Sequence, residues 1–97
     1  MEEWRPIPGY EGHYDISNSG RVRCVKPRRE RMMVIQTHSR DGHAMIGLSV
    51  NSMMKSFTIA RLICMAWHGP AWGRRVEHIN GLVTDDRPEN VRWAGRL

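Results

Sequence analysis

The sequence is poor in cysteine, which limits the kinds of site it can build. Two of its 97 residues are cysteines, Cys24 and Cys64, and they stand far apart without any C-x-x-C spacing. A structural zinc site of the usual kind needs paired thiols, so we do not expect one here. Isolated thiols predict reduced, partly buried side chains and a reducing compartment.

Long apolar runs and a secretory leader are also lacking. The apolar stretch at residues 59–67 is interrupted by Arg61 and is shorter than the ~20 residues that a membrane span needs. The N-terminus is acidic, with Glu2 and Glu3, and has no apolar core like that of a signal peptide. We therefore expect a cytoplasmic protein with no membrane partner. A chain of 97 residues that is 40% hydrophobic predicts one small folded domain.

Positive charge is abundant and unevenly distributed. The net charge is +5, yet residues 1–20 hold four acidic residues and one arginine. The segment 21–31 holds six basic residues against Glu30 alone: Arg21, Arg23, Lys26, Arg28, Arg29 and Arg31. Such a cluster attracts polyanions and releases counterions on meeting phosphates. A solvated basic loop without a partner is equally compatible with the charge alone.

Alternating and helical patterns predict an α+β fold. Residues 14–17 and 21–25 flank the turn formers at 18–20 and predict a β-hairpin with Arg21 and Arg23 on one face. Further strands are predicted at 32–36, 44–50, 55–58 and 74–79, with residues 4–10 as an extended, irregular lead-in and 37–42 as a turn.

One central helix and one short helix complete the predicted elements. Apolar residues recur every three or four positions over 59–67, with Thr58 as the cap and Gly69-Pro70 as the end. Residues 86–89 predict a short helix started by proline. Trp67 and Trp93 are expected in the core, and for Trp4 and Trp72 a core position is favoured over contact with a partner.

Glu77 and His78, followed by Asn80-Gly81 and then Asn90, form the most informative segment. A carboxylate can hold a divalent metal, and an adjacent imidazole can take a proton from water. The ordinary alternative for His78 is a half-buried strand histidine bonded to a local carbonyl. The remaining histidines show no ligand spacing and are not expected to bind metal: His13, His38, His43 and His68.

The chain resembles the NUMOD4-containing HNH homing endonucleases of phages and introns. The resemblance rests on W-x-x-I-P-G-Y-E-x-x-Y-x-I-S-N-x-G-R-V-R at residues 4–23, and on the HNH-like segments 57–67 and 76–93. It implies a small antiparallel β-sheet module packed with a central helix, then a truncated ββα-metal hairpin and short helix. It also implies a NUMOD4-like DNA-binding module at residues 1–54 and a truncated HNH-like segment at 55–97, as one compact unit.

The same resemblance implies roles for individual residues. Glu77 would bind Mg²⁺ or Mn²⁺, His78 would be the general base, and Asn90 would orient the catalytic loop. The residues expected to contact double-stranded DNA are Arg21, Arg23, Lys26, Arg28, Arg29, Arg31 and Arg61.

Two departures from the family pattern leave a choice of functions. The helical residue that completes the family's metal site lies roughly nine positions beyond the residue matched by Asn90, whereas Leu97 is seven positions beyond it, so we expect that ligand to be missing. Ala60 also stands where a histidine often precedes Arg61.

The first function is a divalent-metal-dependent nickase, which would need a homodimer to cut both strands. The alternative is an inactive module that inhibits or recruits a host nuclease or transcription complex. Either would act in the cytoplasm of a bacterial host of a phage.

Overall fold

The computed structural model describes residues 1–37 and 40–95. Within these ranges the chain forms nine strands and one helix. The elements are β1 (Trp4–Pro6), β2 (Tyr14–Ser17), β3 (Val22–Cys24), β4 (Arg31–Met32), β5 (Gln36–Thr37), β6 (Ala44–Val50), β7 (Met53–Thr58), α1 (Ile59–His68), β8 (Val76–His78) and β9 (Val91–Trp93). The strands pair as three antiparallel sheets with the orders β1-β2-β3-β4, β5-β6-β7 and β8-β9.

The first sheet is built around the predicted β2–β3 hairpin. Its turn closes on Ser17, whose backbone oxygen accepts from Gly20 N and whose Oγ accepts from Arg21 N. Val22 and Cys24 are buried while Arg23 faces the other side, which confirms the predicted alternation. The lead-in was predicted to be extended and irregular, and only the irregularity was wrong for Trp4–Pro6. That segment is a strand because it pairs with β2.

The second sheet contains the clearest alternation in the sequence. In β6, Ile46 and Leu48 are buried, and Asn51 and Ser52 form the predicted turn into β7. Residues 32–36 were predicted as one strand, which is wrong. The chain pairs with β3 through β4 and with β6 through β5, so it changes sheets within this segment. The predicted turn at 37–42 includes residues 38 and 39, which lie outside the described residues.

Helix α1 connects the sheets. Thr58 Oγ1 accepts a hydrogen bond from Arg61 N at 3.2 Å, and Gly69 ends the helix at a φ of 81°, as predicted. The helix packs against β2, β6, β7, β8 and β9. Its buried residues join those of all three sheets in one hydrophobic cluster: Ile59, Ala60, Leu62, Ile63 and Cys64.

The short helix predicted at 86–89 is a single turn. Asn90 N and Val91 N both donate to Arg87 O, and the chain then extends into β9. An extended chain is required here because Val91 and Trp93 are buried against the core while Arg92 between them is exposed. His68 Nε2 lies 2.7 Å from Pro88 O, so the end of α1 contacts this turn directly.

The predicted small antiparallel α+β fold is confirmed. The differences concern short elements, described above, and one tryptophan. Trp93 is buried and Trp67 packs on the core, but Trp72 is 69% exposed, so its predicted core position is wrong. Cys24 and Cys64 are free and buried. The domain division at residue 54 stays a prediction. In the part of the chain described here, no helix is long and apolar enough to cross a bilayer.

Candidate functional site

His78 ends strand β8 and faces the interior. Its Nε2 lies 2.7 Å from Asp86 Oδ1, and the two side chains are 7% and 11% exposed. Because a carboxylate only accepts hydrogen bonds, this contact places the hydrogen of a neutral imidazole on Nε2 and leaves Nδ1 as the acceptor. Asp86 therefore orients the ring. The ordinary alternative for His78 was a hydrogen bond to a local backbone carbonyl.

Asn90 holds together the loop between β8 and β9. Its side chain is buried, and Nδ2 donates to Asn80 Oδ1 at 2.9 Å and to Asp85 O at 2.8 Å. Its Oδ1 accepts from Asn80 N at 3.1 Å. These hydrogen bonds hold the loop that leads from His78 to Asp86, and the orienting role expected of Asn90 stays a prediction.

Asp85 adds a second, more exposed clamp to the same loop. Arg87 donates to both carboxylate oxygens at 2.8 Å, and Asn80 Nδ2 donates at 2.9 Å. The hydrogen bonds from Arg87 hold the pKa of the Asp85 carboxyl well below its usual range. The ion pair between Asp85 and Arg87, the two neighbours of Asp86 in the sequence, therefore closes the loop.

Glu77 lies on the opposite face of β8 from His78, because successive side chains of a strand alternate. Its carboxylate pairs with Arg92 across the hairpin at 2.8 Å and is 43% exposed. Among residues 1–37 and 40–95, no group of three or more His, Cys, Asp or Glu side chains could hold a metal ion.

His43 lies beside His78, which the sequence did not predict. The two ring centroids are 5.8 Å apart with an angle of 44° between the planes. His43 enters the site from the start of β6, and the neighbouring Gly42 approaches Val83 and Thr84 of the β8–β9 loop. No spacing in the sequence links positions 43 and 78, so this pair is a product of tertiary packing. His38 lies outside the described residues.

Arg21 and Arg23 project from one face of the β2–β3 hairpin and lie over Trp4. Their guanidinium carbons are 5.8 Å and 4.2 Å from the Trp4 ring. Each also pairs with a carboxylate, Arg21 with Glu2 at 2.9 Å and Arg23 with Asp15 at 3.0 Å. Both arginines share the predicted face, but their charges are partly neutralised within the chain.

The loop that follows β3 carries the more available positive charge. Lys26 Nζ donates to Ser49 O at 2.7 Å and to Tyr14 Oη at 3.3 Å, which fastens the loop to β6. Arg29 N donates to Lys26 O, and Arg28 adopts a left-handed backbone with a φ of 64°. A cavity of about 370 Å³ opens here, and its lining residues are Tyr14, Cys24, Lys26, Arg29, Glu30, Arg31 and Ser49.

Burial raises the pKa of Tyr14, but its contacts with Ser49 and Lys26 outweigh burial, so the net shift is downward. Arg29 and Arg31 are exposed and make no ion pair with any described residue. Both side chains are free to meet a phosphate.

Arg61 is separate from this loop. It lies in the first turn of α1, and its guanidinium carbon is 5.3 Å from the Trp93 ring centroid. The structure therefore groups the predicted DNA-contact residues into three places: the Trp4 face, the 26–31 loop and the helix.

Comparison with known proteins identifies relatives of nearly the whole chain. A family model described as the NUMOD4 motif matches residues 2–49. DNA endonuclease I-HmuI of Bacillus phage SP01 is 35% identical over 93 residues, which cover 95% of this chain and 52% of the relative. An HNH endonuclease of Acanthamoeba polyphaga mimivirus, L245, is 25% identical over 95 residues, covering 97% of this chain and 27% of that protein.

A solved structure agrees with these relatives. It shows DNA binding and cleavage by the HNH homing endonuclease I-HmuI, and it superposes with a TM-score of 0.81 at 34% identity. The match covers 95% of this chain and 52% of the I-HmuI chain, so the present chain spans about half the length of that enzyme. On this combination of motif, sequence identity and fold, the chain belongs to the NUMOD4-containing HNH homing endonuclease family.

Proposed function

We propose that this protein binds double-stranded DNA, with the 26–31 loop as its phosphate-binding element. The observation that carries the proposal is the cavity beside that loop, whose lining contains three basic residues, Lys26, Arg29 and Arg31, and one acidic residue, Glu30. Lys26 anchors the loop, while Arg29 and Arg31 remain available. Arginine matches the geometry of phosphate oxygens, and each phosphate contact releases counterions.

The Trp4 face would extend this contact. Arg21 and Arg23 lie side by side on a β-ribbon, an element that can enter a DNA groove. Their pairing with Glu2 and Asp15 means that DNA must compete with two carboxylates for them. We therefore assign the larger share of the electrostatic affinity to the loop.

Binding of a mixed-sequence duplex, measured by fluorescence anisotropy across a salt series, tests this proposal. Each phosphate contact steepens the slope of log K against log salt by about 0.9. Arg29→Ala and Arg31→Ala should each weaken binding and flatten that slope by about one unit. Arg5→Ala is the control, since Arg5 is an arginine of β1 that pairs with Glu3 and is outside the predicted DNA-contact residues. Unchanged affinity and slope in both loop variants would remove the loop from the DNA interface.

A second function, hydrolysis of a DNA strand, is supported by the contact between His78 and Asp86. With its hydrogen on Nε2 directed at Asp86, the neutral ring presents Nδ1 to accept a proton from an attacking water. The water oxygen would bond to phosphorus as the bond to the leaving sugar oxygen breaks, and solvent would protonate that oxygen. His78 thus supplies a base whose orientation Asp86 and Asn90 maintain.

Glu77 has the right donor chemistry to hold a divalent cation, Mg²⁺ or Mn²⁺. Its Oε1 accepts from Arg92, so Arg92 would compete with the cation for this carboxylate. In this proposal, the role of the chain in hydrolysis is proton transfer by His78.

Nicking of supercoiled plasmid in Mg²⁺ or Mn²⁺ tests the hydrolytic function. The wild-type protein should produce open circles, and His78→Ala should reduce the rate at least a hundredfold, in line with the loss of a general base. Linear product would additionally indicate that two copies act together. Equal rates, or no nicking by either protein, would remove hydrolysis.

If the wild-type protein binds DNA but does not nick it, the protein is a DNA-binding module. If the wild-type protein does neither, the host-protein alternative is favoured. The cytoplasmic location in a bacterial host stays a prediction.

A further inference from the structure

Trp72 is the large aromatic residue that the core does not use. Its side chain is 69% exposed, and it makes no ring or cation–π contact with the described residues. The other tryptophans are occupied: Trp93 is buried, Trp67 lies under Arg5, and Trp4 lies under Arg21 and Arg23. An indole this exposed buries little of its apolar surface in the core.

The backbone at Trp72 is also unfavourable for tryptophan. Trp72 and Gly73 have φ values of 50° and 79°, and Arg74 N donates to Ala71 O at 3.0 Å. Positive φ at both central residues is the pattern of a type I′ turn, which favours asparagine followed by glycine. A side chain with a Cβ and a bulky ring is disfavoured in this conformation. Residues that break local preferences without a packing gain are concentrated at functional sites.

This turn is held firmly at both ends. Arg74 Nε makes a second hydrogen bond to Ala71 O at 3.1 Å. Before the turn, Gly69 O accepts from Trp93 Nε1 at 2.9 Å, and after it, Arg75 O accepts from Ala94 N. The indole therefore projects from a fixed base, which lowers the entropy lost when it contacts a partner.

Positive charge accompanies the exposed ring. Arg74 and Arg75 follow directly, Arg75 is exposed, and neither makes an ion pair with a described residue. An aromatic ring beside cations matches a nucleobase beside its phosphates, because bases stack on aromatic side chains while the backbone meets arginine. A protein partner would have to be acidic to meet the same surface.

From this arrangement we propose that Trp72 stacks on a base of bound DNA at an opened base step, with Arg75 on an adjacent phosphate. This inference rests on the proposed DNA binding and adds a contact that disturbs base stacking. Strand β8 joins the turn to His78. The three residues from Arg75 to His78 span about 10 Å, or about three steps of a DNA strand at ~3.4 Å per step. The opened step would lie within a few base pairs of the phosphate nearest His78.

Trp72→Asn distinguishes a DNA contact from a structural role, because a DNA contact predicts lower DNA affinity without lower stability, whereas a structural role predicts lower stability. The change places the preferred asparagine before Gly73, so the midpoint of thermal unfolding should stay the same or rise. Affinity for a mixed-sequence duplex should nevertheless fall about tenfold, the typical effect of losing one stacked base. Ser52→Gly is the matched control. It replaces a serine that has a left-handed backbone in the β6–β7 turn with glycine, which adopts that backbone readily, and it should leave DNA affinity unchanged.

Tryptophan fluorescence gives an independent measurement. Stacking on a base quenches indole emission, so the duplex should quench the wild-type protein. Trp72→Phe retains an aromatic surface and should bind within about threefold of wild type, but with most of the quenching lost.

Wild-type affinity in Trp72→Asn, or undiminished quenching in Trp72→Phe, would overturn the inference while leaving the proposed DNA binding intact. Failure of the wild-type protein to bind the duplex at all would overturn both.

Discussion

His78 Nε2 and Asp86 Oδ1 lie 2.7 Å apart in a largely buried contact between the end of β8 and the loop that leads to β9. The pair selects one tautomer of the imidazole and keeps the ring in one orientation. Asn90 and Asp85 hold the loop from which Asp86 projects. A positioned imidazole of this kind is suited to proton transfer.

Asp86→Asn should lower the rate of plasmid nicking by about a hundredfold or more without changing DNA affinity. The amide can offer its NH₂ group to the ring and so stabilise the tautomer with the hydrogen on Nδ1, the wrong nitrogen for accepting a proton. Glu89→Gln is the control, since Glu89 is an exposed carboxylate of the same loop. A wild-type nicking rate in Asp86→Asn would show that Asp86 does not position the base.

Asn90→Ala should lower the free energy of unfolding by about 2 kcal/mol, because it removes the partly buried hydrogen bonds of Asn90 to Asn80 N and Asp85 O. Urea titration at pH 7 measures this change. Asn18→Ala is a suitable comparison, since Asn18 makes exposed hydrogen bonds to the N-terminal segment and should cost less than about 1 kcal/mol. Equal losses in the two variants would mean that Asn90 does not stabilise the loop.

Cys64 should make the protein less stable in alkaline solution. Burial raises the pKa of its thiol to about 11, above the ~8.5–9 of an unfolded chain. The folded state then binds more protons than the unfolded state between about pH 9 and pH 11, so stability falls as pH rises through that window. The expected loss is about 1 kcal/mol at pH 10.

Urea titrations of wild type and Cys64→Ala at pH 8 and pH 10 isolate this effect. Other alkaline titrations, including that of Tyr14, occur in both proteins and cancel in the comparison. The variant should lose less stability than wild type between the two pH values. An identical loss would assign the pH dependence to other groups.

Arg92 should control access to Glu77. The pair is exposed on both sides, so Arg92→Ala should change the free energy of unfolding by less than about 1 kcal/mol. If Glu77 binds the cation, freeing its carboxylate should lower the Mg²⁺ concentration at half-maximal nicking, and Glu77→Gln should raise it. An unchanged Mg²⁺ requirement in both variants would remove Glu77 from the metal site.

Local patterns predicted much of the fold. Alternation over residues 44–50 predicted β6 at its observed bounds, and the change to a helical period after Thr58 predicted α1 with its cap. These elements are recoverable because their residues interact with near neighbours or with one continuous apolar face. Strands β1 and β9 were not predicted as strands. Each is three residues long and exists because of a partner elsewhere in the chain.

The chemical groups of the candidate site can be read from the sequence: an imidazole, nearby carboxylates, two asparagines and a dense run of arginines. Which of these groups lie in contact depends on the packing of the folded chain. Glu77 and His78 are adjacent in sequence but point to opposite faces of β8, because the side chains of a strand alternate. His78 contacts Asp86 and His43 because two loops fold against it. Local spacing governs the elements, but contacts between loops depend on how the shared core packs them.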